Sequence, residues 1–154
     1  MPSLPDSAEI DRALVSMLLA DTALQALMPD GVYIDQAAPN AQRFVIVSLA
    51  DQEDVPKYGD PNVPGSSVAY ESALYLVKAV ALGSDTDADA AAARIRHVLE
   101  DQVLTQGSPV GVPGYTWMTC HREGRVVMTE VDAQDPNVRW EHRGGHYRVD
   151  MSVG

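Results

Sequence analysis

The sequence of 154 residues lacks three features that define secreted and membrane proteins. It has one cysteine, Cys120, which excludes an internal disulfide and is typical of a protein made in a reducing cytoplasm. No apolar run approaches the roughly 20 residues that a membrane-spanning helix needs. Residues 1–11, MPSLPDSAEID, have neither the basic region nor the apolar core of a signal peptide, so we expect none. These absences predict a single domain, 1–154, with one apolar core.

Basic residues are also scarce. The chain has 22 acidic and 11 basic residues, and its net charge is −11. Residues 1–77 carry −8, from 11 acids and 3 bases, whereas residues 78–154 carry −3, from 11 acids and 8 bases. Such a chain repels phosphate, which argues against tight nucleic-acid binding by counterion release. Solubility is the simplest explanation of the charge.

Motifs of catalysis are missing as well. The sequence has no G-x-S-x-G elbow, no H-E-x-x-H pair and no phosphate-cradling glycine loop. Cys120 and His121 are adjacent, so on a strand they point to opposite faces and form neither a nucleophile–base pair nor half of a zinc site. We therefore expect Cys120 to be a small buried apolar residue. His142 and His146 flank Gly144-Gly145, which is a bulge or turn signal, and do not complete a metal site.

Three aspartates, Asp85, Asp87 and Asp89, have the spacing of the first ligands in a calcium-binding loop. That loop requires Gly at its sixth position and Glu at its twelfth. Here those positions hold Ala90 and Arg96, and an arginine cannot act as the bidentate ligand. We therefore interpret the aspartates as helix-capping acids, and we predict no catalytic residue, cofactor or metal.

The N-terminal region shows the clearest structural pattern. A helix is predicted with Asp6 as its cap and Glu9 as its capping-box partner, and its buried stripe comprises Ile10, Leu14, Met17 and Leu18. Asp21 caps a second, short helix that carries Leu24, Leu27 and Met28. Pro29-Asp30-Gly31 ends that helix, and a first strand is predicted at 32–36.

The remaining chain reads as strands around one long helix. Strands are predicted at 44–50, 70–82, 115–122, 126–131 and 139–153, with helix as the alternative at 70–82. Ser84 and Asp87 form a capping box for the long helix, whose predicted buried side is Ala88, Ala91, Ala92, Ile95, Val98, Leu99, Gln102 and Val103. The prolines and glycines of 52–67 predict a long loop, either facing a partner or disordered in the isolated subunit. Residues 132–138 are predicted to form a turn, and Trp117 and Trp140 to meet across the last hairpin.

These elements predict an α+β fold. We expect a mostly antiparallel sheet with two main helices packed on one face and a C-terminal β-hairpin.

The order of these motifs resembles the tail-completion, or tail-terminator, proteins of long-tailed bacteriophages. Those proteins begin with a Leu/Ala-rich helix, an Asp-initiated short helix and a Gly-Val-Tyr entry into the first strand. A polar loop with a proline and an apolar strand follow. The matching residues are Asp21, Leu24, Leu27, Gly31, Val32 and Tyr33, then the loop of Ala37, Ala38 and Pro39, then the strand 44–47.

The resemblance implies a structural virion protein. It implies a homohexameric ring that caps the tail tube protein, joins it to the head–tail connector and lets DNA pass through an acidic lumen without tight binding. The protein would then belong to the virion tail or neck, be assembled in the host cytoplasm and need no membrane.

Two segments are the expected contacts in such a ring, and neither is catalytic. They are the 52–67 loop, with Asp54, Lys57, Tyr58 and Asp60, and the 132–138 turn with its flank, Asp132, Asp135, Arg139 and Trp140. The late arginines would pair with acids of a neighbouring subunit; they are Arg122, Arg125, Arg139, Arg143 and Arg148. The alternatives are a neck or connector subunit and a small α+β ligand-binding module. An enzyme is disfavoured because no acid–base pair or nucleophile is evident.

Overall fold

A computed structural model of the chain describes residues 6–56, 68–100, 103–105 and 112–153. Its helices are α1 (Ala8–Leu19), α2 (Thr22–Leu27) and α3 (Asp85–Glu100). Its strands are β1 (Val32–Ile34), β2 (Arg43–Pro56), β3 (Val68–Leu82), β4 (Val103–Thr105), β5 (Tyr115–Val131) and β6 (Arg139–Val153).

The strands form one sheet in the order β1-β2-β3-β6-β5-β4. All neighbours are antiparallel except β1 and β2, which run parallel. β5 and β6 form the C-terminal hairpin. The prediction of an α+β fold with a mostly antiparallel sheet is confirmed, and so is the strand at 70–82.

The apolar core lies between the helices and one face of the sheet. Every second residue of β3, from Ala73 to Ala81, is buried against the helices, as the alternation of side chains along a strand requires. α3 packs on β3, β5 and β6, and α1 packs on β1, β2 and α3. The predicted stripe of α1 is buried. Of the predicted α3 stripe, Ala88, Ala91, Ile95, Val98 and Leu99 are buried and Ala92 is half-buried.

Two of the three predicted helix caps are confirmed in full. The Asp21 carboxylate accepts a hydrogen bond of 3.0 Å from the Leu24 N–H. The Asp87 N–H donates to Ser84 Oγ at 3.2 Å, and the Ser84 hydroxyl donates to the Asp87 carboxylate at 3.0 Å, which is a reciprocal capping box.

The third predicted cap is only half right. Asp6 accepts a hydrogen bond of 3.0 Å from the Ala8 N–H. Its predicted partner Glu9 instead forms an ion pair with Arg12, one helical turn further on. The Glu9 carboxylate therefore binds the nearby guanidinium and does not accept a hydrogen bond at the start of the helix.

The predicted loop at 52–67 is wrong for its first five residues. Residues 52–56 continue β2 and pair with β3 as far as Pro56, which lies opposite Val68. A register shift between Leu49 and Asp51 keeps the ladder in place. Proline is tolerated there because it ends a strand that has no described neighbour on its other side. Residues 57–67 lie outside the described part of the chain.

Other predicted bounds also change. The predicted strands 115–122 and 126–131 are one strand, because a register shift between Arg122 and Gly124 carries β5 past the polar segment between them. Val103 belongs to β4 and not to α3, and Gln102 lies outside the described residues. β1 ends at Ile34 because Asp35 adopts a left-handed backbone conformation with φ of 64°.

The paired glycines of β6 are required by close packing within the sheet. A Cβ at Gly144 would lie 2.1 Å from the carbonyl oxygen of Val77 on β3. A Cβ at Gly145 would lie 2.6 Å from the carbonyl oxygen of Gly124 on β5. Both contacts are with backbone, which cannot move aside without distorting the ladder.

Candidate interaction surface

The 132–138 turn is organised by its own aspartates. Asp132 Oδ1 accepts hydrogen bonds from the N–H of Gln134 at 2.8 Å and of Asp135 at 3.2 Å. Asp135 Oδ1 accepts from the Asn137 N–H at 3.0 Å. The predicted turn is therefore confirmed, and these two carboxylates fix its shape at the tip of the β5–β6 hairpin.

The two residues after the turn lie in different environments. Arg139 is exposed, and its carbonyl oxygen accepts a hydrogen bond of 2.8 Å from the Gly83 N–H. Trp140 is half-buried and packs on Phe44 with ring centroids 6.3 Å apart. The predicted contact between Trp140 and Trp117 is wrong, because Trp140 pairs with Glu130 whereas Trp117 pairs with Ser152 near the other end of β6.

The outer edge of β5 is open along most of its length. β4 pairs only with residues 117–119 of β5. Among the described residues, no strand pairs with 120–131 on the side away from β6. Exposed apolar side chains follow this edge towards the tip, and Val127 is 53% exposed, with Met128 and Val131 also exposed. Unpaired strand edges are templates for pairing with another chain.

A second open edge lies at the opposite end of the sheet. β1 pairs only with Val45, Ile46 and Val47 of β2. Within the described ranges, no strand covers the rest of this edge, from residue 48 to residue 56. Leu49 is 47% exposed there, and Asp51 and Glu53 are also exposed. Asp54, a predicted contact residue, lies on this strand opposite Glu71. The other predicted contacts of the loop, Lys57, Tyr58 and Asp60, lie outside the described residues.

Four arginines surround one cavity of about 510 Å³ between α3 and the strands β5 and β6. We call it the arginine cavity. Its lining comprises Arg96, Arg122, Arg125, Arg143, Asp89, Ala92, Ala93 and Gly144. Three of the five late arginines thus come together, and the fourth lining arginine is Arg96 of α3, which is not part of the predicted buried side of that helix.

The remaining two late arginines lie elsewhere. Arg148 forms an ion pair of 2.9 Å with Glu123. Arg139 is on the hairpin beside the turn. The sequence cluster is therefore divided between the cavity, the hairpin and a local ion pair.

The arginines of the cavity differ in how many hydrogen bonds and ion pairs their guanidinium groups make. Arg143 is held by Asp89 at 3.0 Å and Glu141 at 3.1 Å, and it also donates to the carbonyl oxygens of Met128 and His142. Hydrogen bonding by Arg96, reinforced by the charge of Arg122, lowers the pKa of Glu100, so two cations act on one carboxylate.

Arg125 is the least engaged member of the set. It is exposed and makes no hydrogen bond or ion pair with a described residue. The cavity therefore has cationic capacity left for an anion from outside.

A smaller cavity of about 290 Å³ lies on the other face of the sheet, under the segment that joins β1 to β2. Ala38, Pro39, Phe44, Trp140 and His142 are among its lining residues. His142 is buried, and its Nε2 lies 3.1 Å from a carboxylate oxygen of Glu130, while no described residue hydrogen-bonds to its Nδ1. Burial, together with the charge of Lys78, lowers the pKa of His142.

Cys120 is buried, as predicted, and burial raises its pKa to about 12. A thiol with so high a pKa is a poor nucleophile at neutral pH. In the part of the chain that the structure covers, no three His, Cys, Asp or Glu side chains are grouped to hold a metal ion. No helix within the same residues has the length and apolar character needed to span a bilayer.

Comparison of the sequence with protein-family models and with curated proteins gave no match. The interaction surface is therefore interpreted from its own geometry, its charge and the motif order of the chain.

Proposed function

We propose that this chain is a structural virion protein that closes into a ring on the end of a phage tail tube and joins it to the head–tail connector. The observation that carries the proposal is the pair of open sheet edges at opposite ends of the subunit. Each subunit then offers two different surfaces, the β5 edge and the β2 edge, and their pairing is heterologous. Heterologous contacts build a closed ring when the rotation between subunits divides a full turn.

The resemblance adds the number of subunits and the setting. It implies six copies, a tube on one side and a connector on the other. The acidic surface is consistent with a lumen through which DNA passes, because a net charge of −11 per subunit repels the phosphate backbone. In this proposal the protein acts through shape and assembly, and it catalyses no reaction.

Assembly state is the first test. Six copies of 16.6 kDa give a particle of about 100 kDa, which analytical ultracentrifugation separates from a monomer and negative stain shows as a ring. Assembly is measured alone and in the presence of tail tubes that lack their terminator, because ring closure can require the tube as template. A protein that stays monomeric in both conditions contradicts the proposal.

The role of the β5 edge is tested by adding charge to it. Val127→Lys places an ammonium on the open edge and is expected to block ring formation without unfolding the subunit, because Val127 is exposed. Leu19→Lys is the matched control, since Leu19 is a similarly exposed apolar residue on α1. If the two variants assemble equally well, the β5 edge is not the contact.

Binding partners separate a terminator from a connector subunit. A terminator binds purified tube ends and not filled heads, whereas a neck subunit binds heads first. Pull-down on each, followed by electron microscopy, distinguishes these outcomes.

The cavity at His142 favours the second candidate, a ligand-binding module. It combines apolar walls with two polar lining residues, His142 and Glu130, a pattern common to small-molecule sites. A thermal-shift screen with small apolar and heteroaromatic compounds tests this candidate. Specific stabilisation that His142→Phe abolishes, in a protein that remains monomeric, favours the module over the ring.

A further inference from the structure

We infer that the arginine cavity is a carboxylate-binding site that receives acidic side chains of a second copy of the chain. The inference rests on the proposed ring and specifies one of its surfaces. It does not follow from the open edges alone, because strand pairing needs no cation.

Charge is the first argument. The chain has 11 basic residues against 22 acidic ones, yet four arginines converge on one cavity where Asp89 is the one acidic lining residue among those the structure describes. Asp89 is already bound by Arg143. Arg125 has no partner among the described residues, and Arg122 acts on a carboxylate, Glu100, that Arg96 already binds. The cationic excess is thus located at Arg122 and Arg125.

Shape is the second argument. Ala92 and Ala93 on α3 leave the space open, since neither has a side chain beyond Cβ. Gly145 serves the same end, because a Cβ there would lie 2.8 Å from Arg122 Cδ. The aliphatic part of the Arg122 side chain therefore passes close to Gly145 of β6, where only glycine leaves enough space. The resulting volume of about 510 Å³ is within the usual range of ligand clefts, roughly 300–1,000 Å³.

The place of the cavity in the fold identifies the occupant. Arg122 and Arg125 belong to β5, within the segment 120–131 whose outer edge has no described strand partner. A subunit that docks on this edge brings its own side chains to the cavity mouth. A second copy supplies carboxylates in excess, since acids outnumber bases two to one in this chain.

The geometry of a guanidinium group matches carboxylate and phosphate equally well. The choice between them comes from the field of the whole subunit. A DNA phosphate approaching the cavity meets a net charge of −11, which opposes its binding. A neighbouring subunit also carries −11, but the rest of its interface offsets that repulsion, whereas a DNA phosphate has no such additional contact.

The test compares two single charge losses. Arg125→Gln removes the guanidinium of the cavity that has no partner among the described residues, and Arg12→Gln removes an exposed guanidinium on α1, which is paired with Glu9. The double variant Arg122→Gln/Arg125→Gln gives a larger loss. For each, the concentration of half-maximal ring assembly is measured by ultracentrifugation at 50 and 300 mM NaCl, and thermal unfolding checks that the subunit remains folded.

We expect Arg125→Gln to raise that concentration at least about tenfold, since it leaves a partner carboxylate in the interface without its guanidinium. Arg12→Gln should leave it unchanged. The salt dependence of assembly should also be smaller in the double variant than in the wild type.

Other outcomes overturn the inference. If the wild type and the double variant assemble equally, the cavity receives no partner carboxylate, while the proposed ring stands. If the wild type does not assemble with or without tail tubes, both fail. Fluorescence anisotropy with a 20-bp DNA duplex provides the remaining arm. Binding that Arg125→Gln abolishes and Arg12→Gln retains would assign the cavity to phosphate.

Discussion

Asp21 performs two tasks that can be separated by substitution. Its carboxylate caps α2 through the Leu24 N–H, and it also binds the Arg94 guanidinium of α3 in a bidentate pair with both distances 2.7 Å. The first task stabilises a short helix, and the second ties that helix to α3. The pKa of Asp21 is lowered chiefly by the hydrogen bond from Arg94.

The magnitudes follow from exposure and chemistry. Replacing an Asp cap by Ala typically costs about 1 kcal/mol. The ion pair contributes less than the cap, because the Arg94 side chain is 37% exposed and solvent screens it. We therefore expect Asp21→Ala to lower the free energy of unfolding by more than about 1 kcal/mol. Asp21→Asn should cost less, because Asn caps helices as well as Asp does but carries no charge.

Urea unfolding of Asp21→Ala, Asp21→Asn and Arg94→Gln measures these terms. Arg94→Gln should match Asp21→Asn, and the double variant Asp21→Asn/Arg94→Gln should cost little more than either, since both remove the same pair. In 1 M NaCl the loss in Asp21→Asn should shrink, whereas the difference between the Ala and Asn variants should persist. Equal losses in Asp21→Ala and Asp21→Asn would refute the capping contribution, and additive losses in the double variant would refute the pairing.

Two further predictions concern β6. Gly144→Ala should lower the free energy of unfolding by about 3 kcal/mol or prevent folding, because its Cβ would meet the Val77 carbonyl oxygen at 2.1 Å, whereas Gly124→Ala, with open space, should be near neutral in the same urea titration. His142 has a folded pKa below its unfolded value of about 6.5, so the stability it contributes is complete above that pH and is lost as pH falls through the folded pKa. His142→Gln should therefore flatten the decline in the free energy of unfolding between pH 7.5 and 5; an unchanged slope would show that another group titrates.

The helices were predictable because their signals are local. The apolar period of α1 and the caps at Asp21 and Ser84 each lie within a few residues of the structure they specify. β1, β2, β3 and β6 were predictable for the same reason, but β4 was missed and β5 was predicted as two strands. Their ends were not, because β2 runs to Pro56 only where β3 supplies a partner at Val68. The positions of prolines in the sequence do not show which distant residues will pair with the strand.

The interaction surface was predictable only in part. The late arginines were visible as a cluster in sequence, but their division depends on register. The shift at Arg122 and Gly124 decides which β5 side chains face α3. Arg96 lines the cavity because α3 packs against β5, although helix periodicity alone places Arg96 on the solvent side. The predicted contact between Trp140 and Trp117 was wrong for a related reason. Trp140 lies beside the tip of the hairpin, whereas Trp117 lies far from that tip on β5.

The charges on the two open edges explain why assembly of this subunit would favour a ring over a two-fold dimer. The β2 edge carries exposed Asp51 and Glu53, whereas the β5 edge carries Arg122 and Arg125 together with Glu123 and Glu130. Pairing of two β2 edges juxtaposes like charges, which costs free energy, whereas a β2 edge that meets the β5 edge places its carboxylates beside Arg122 and Arg125. Isologous contacts are thereby disfavoured, and the head-to-tail contact that the proposed ring needs is selected. On this reasoning, reversing the charge of one edge alone, as in Arg122→Glu/Arg125→Glu, should abolish ring closure even where the strand edges remain intact.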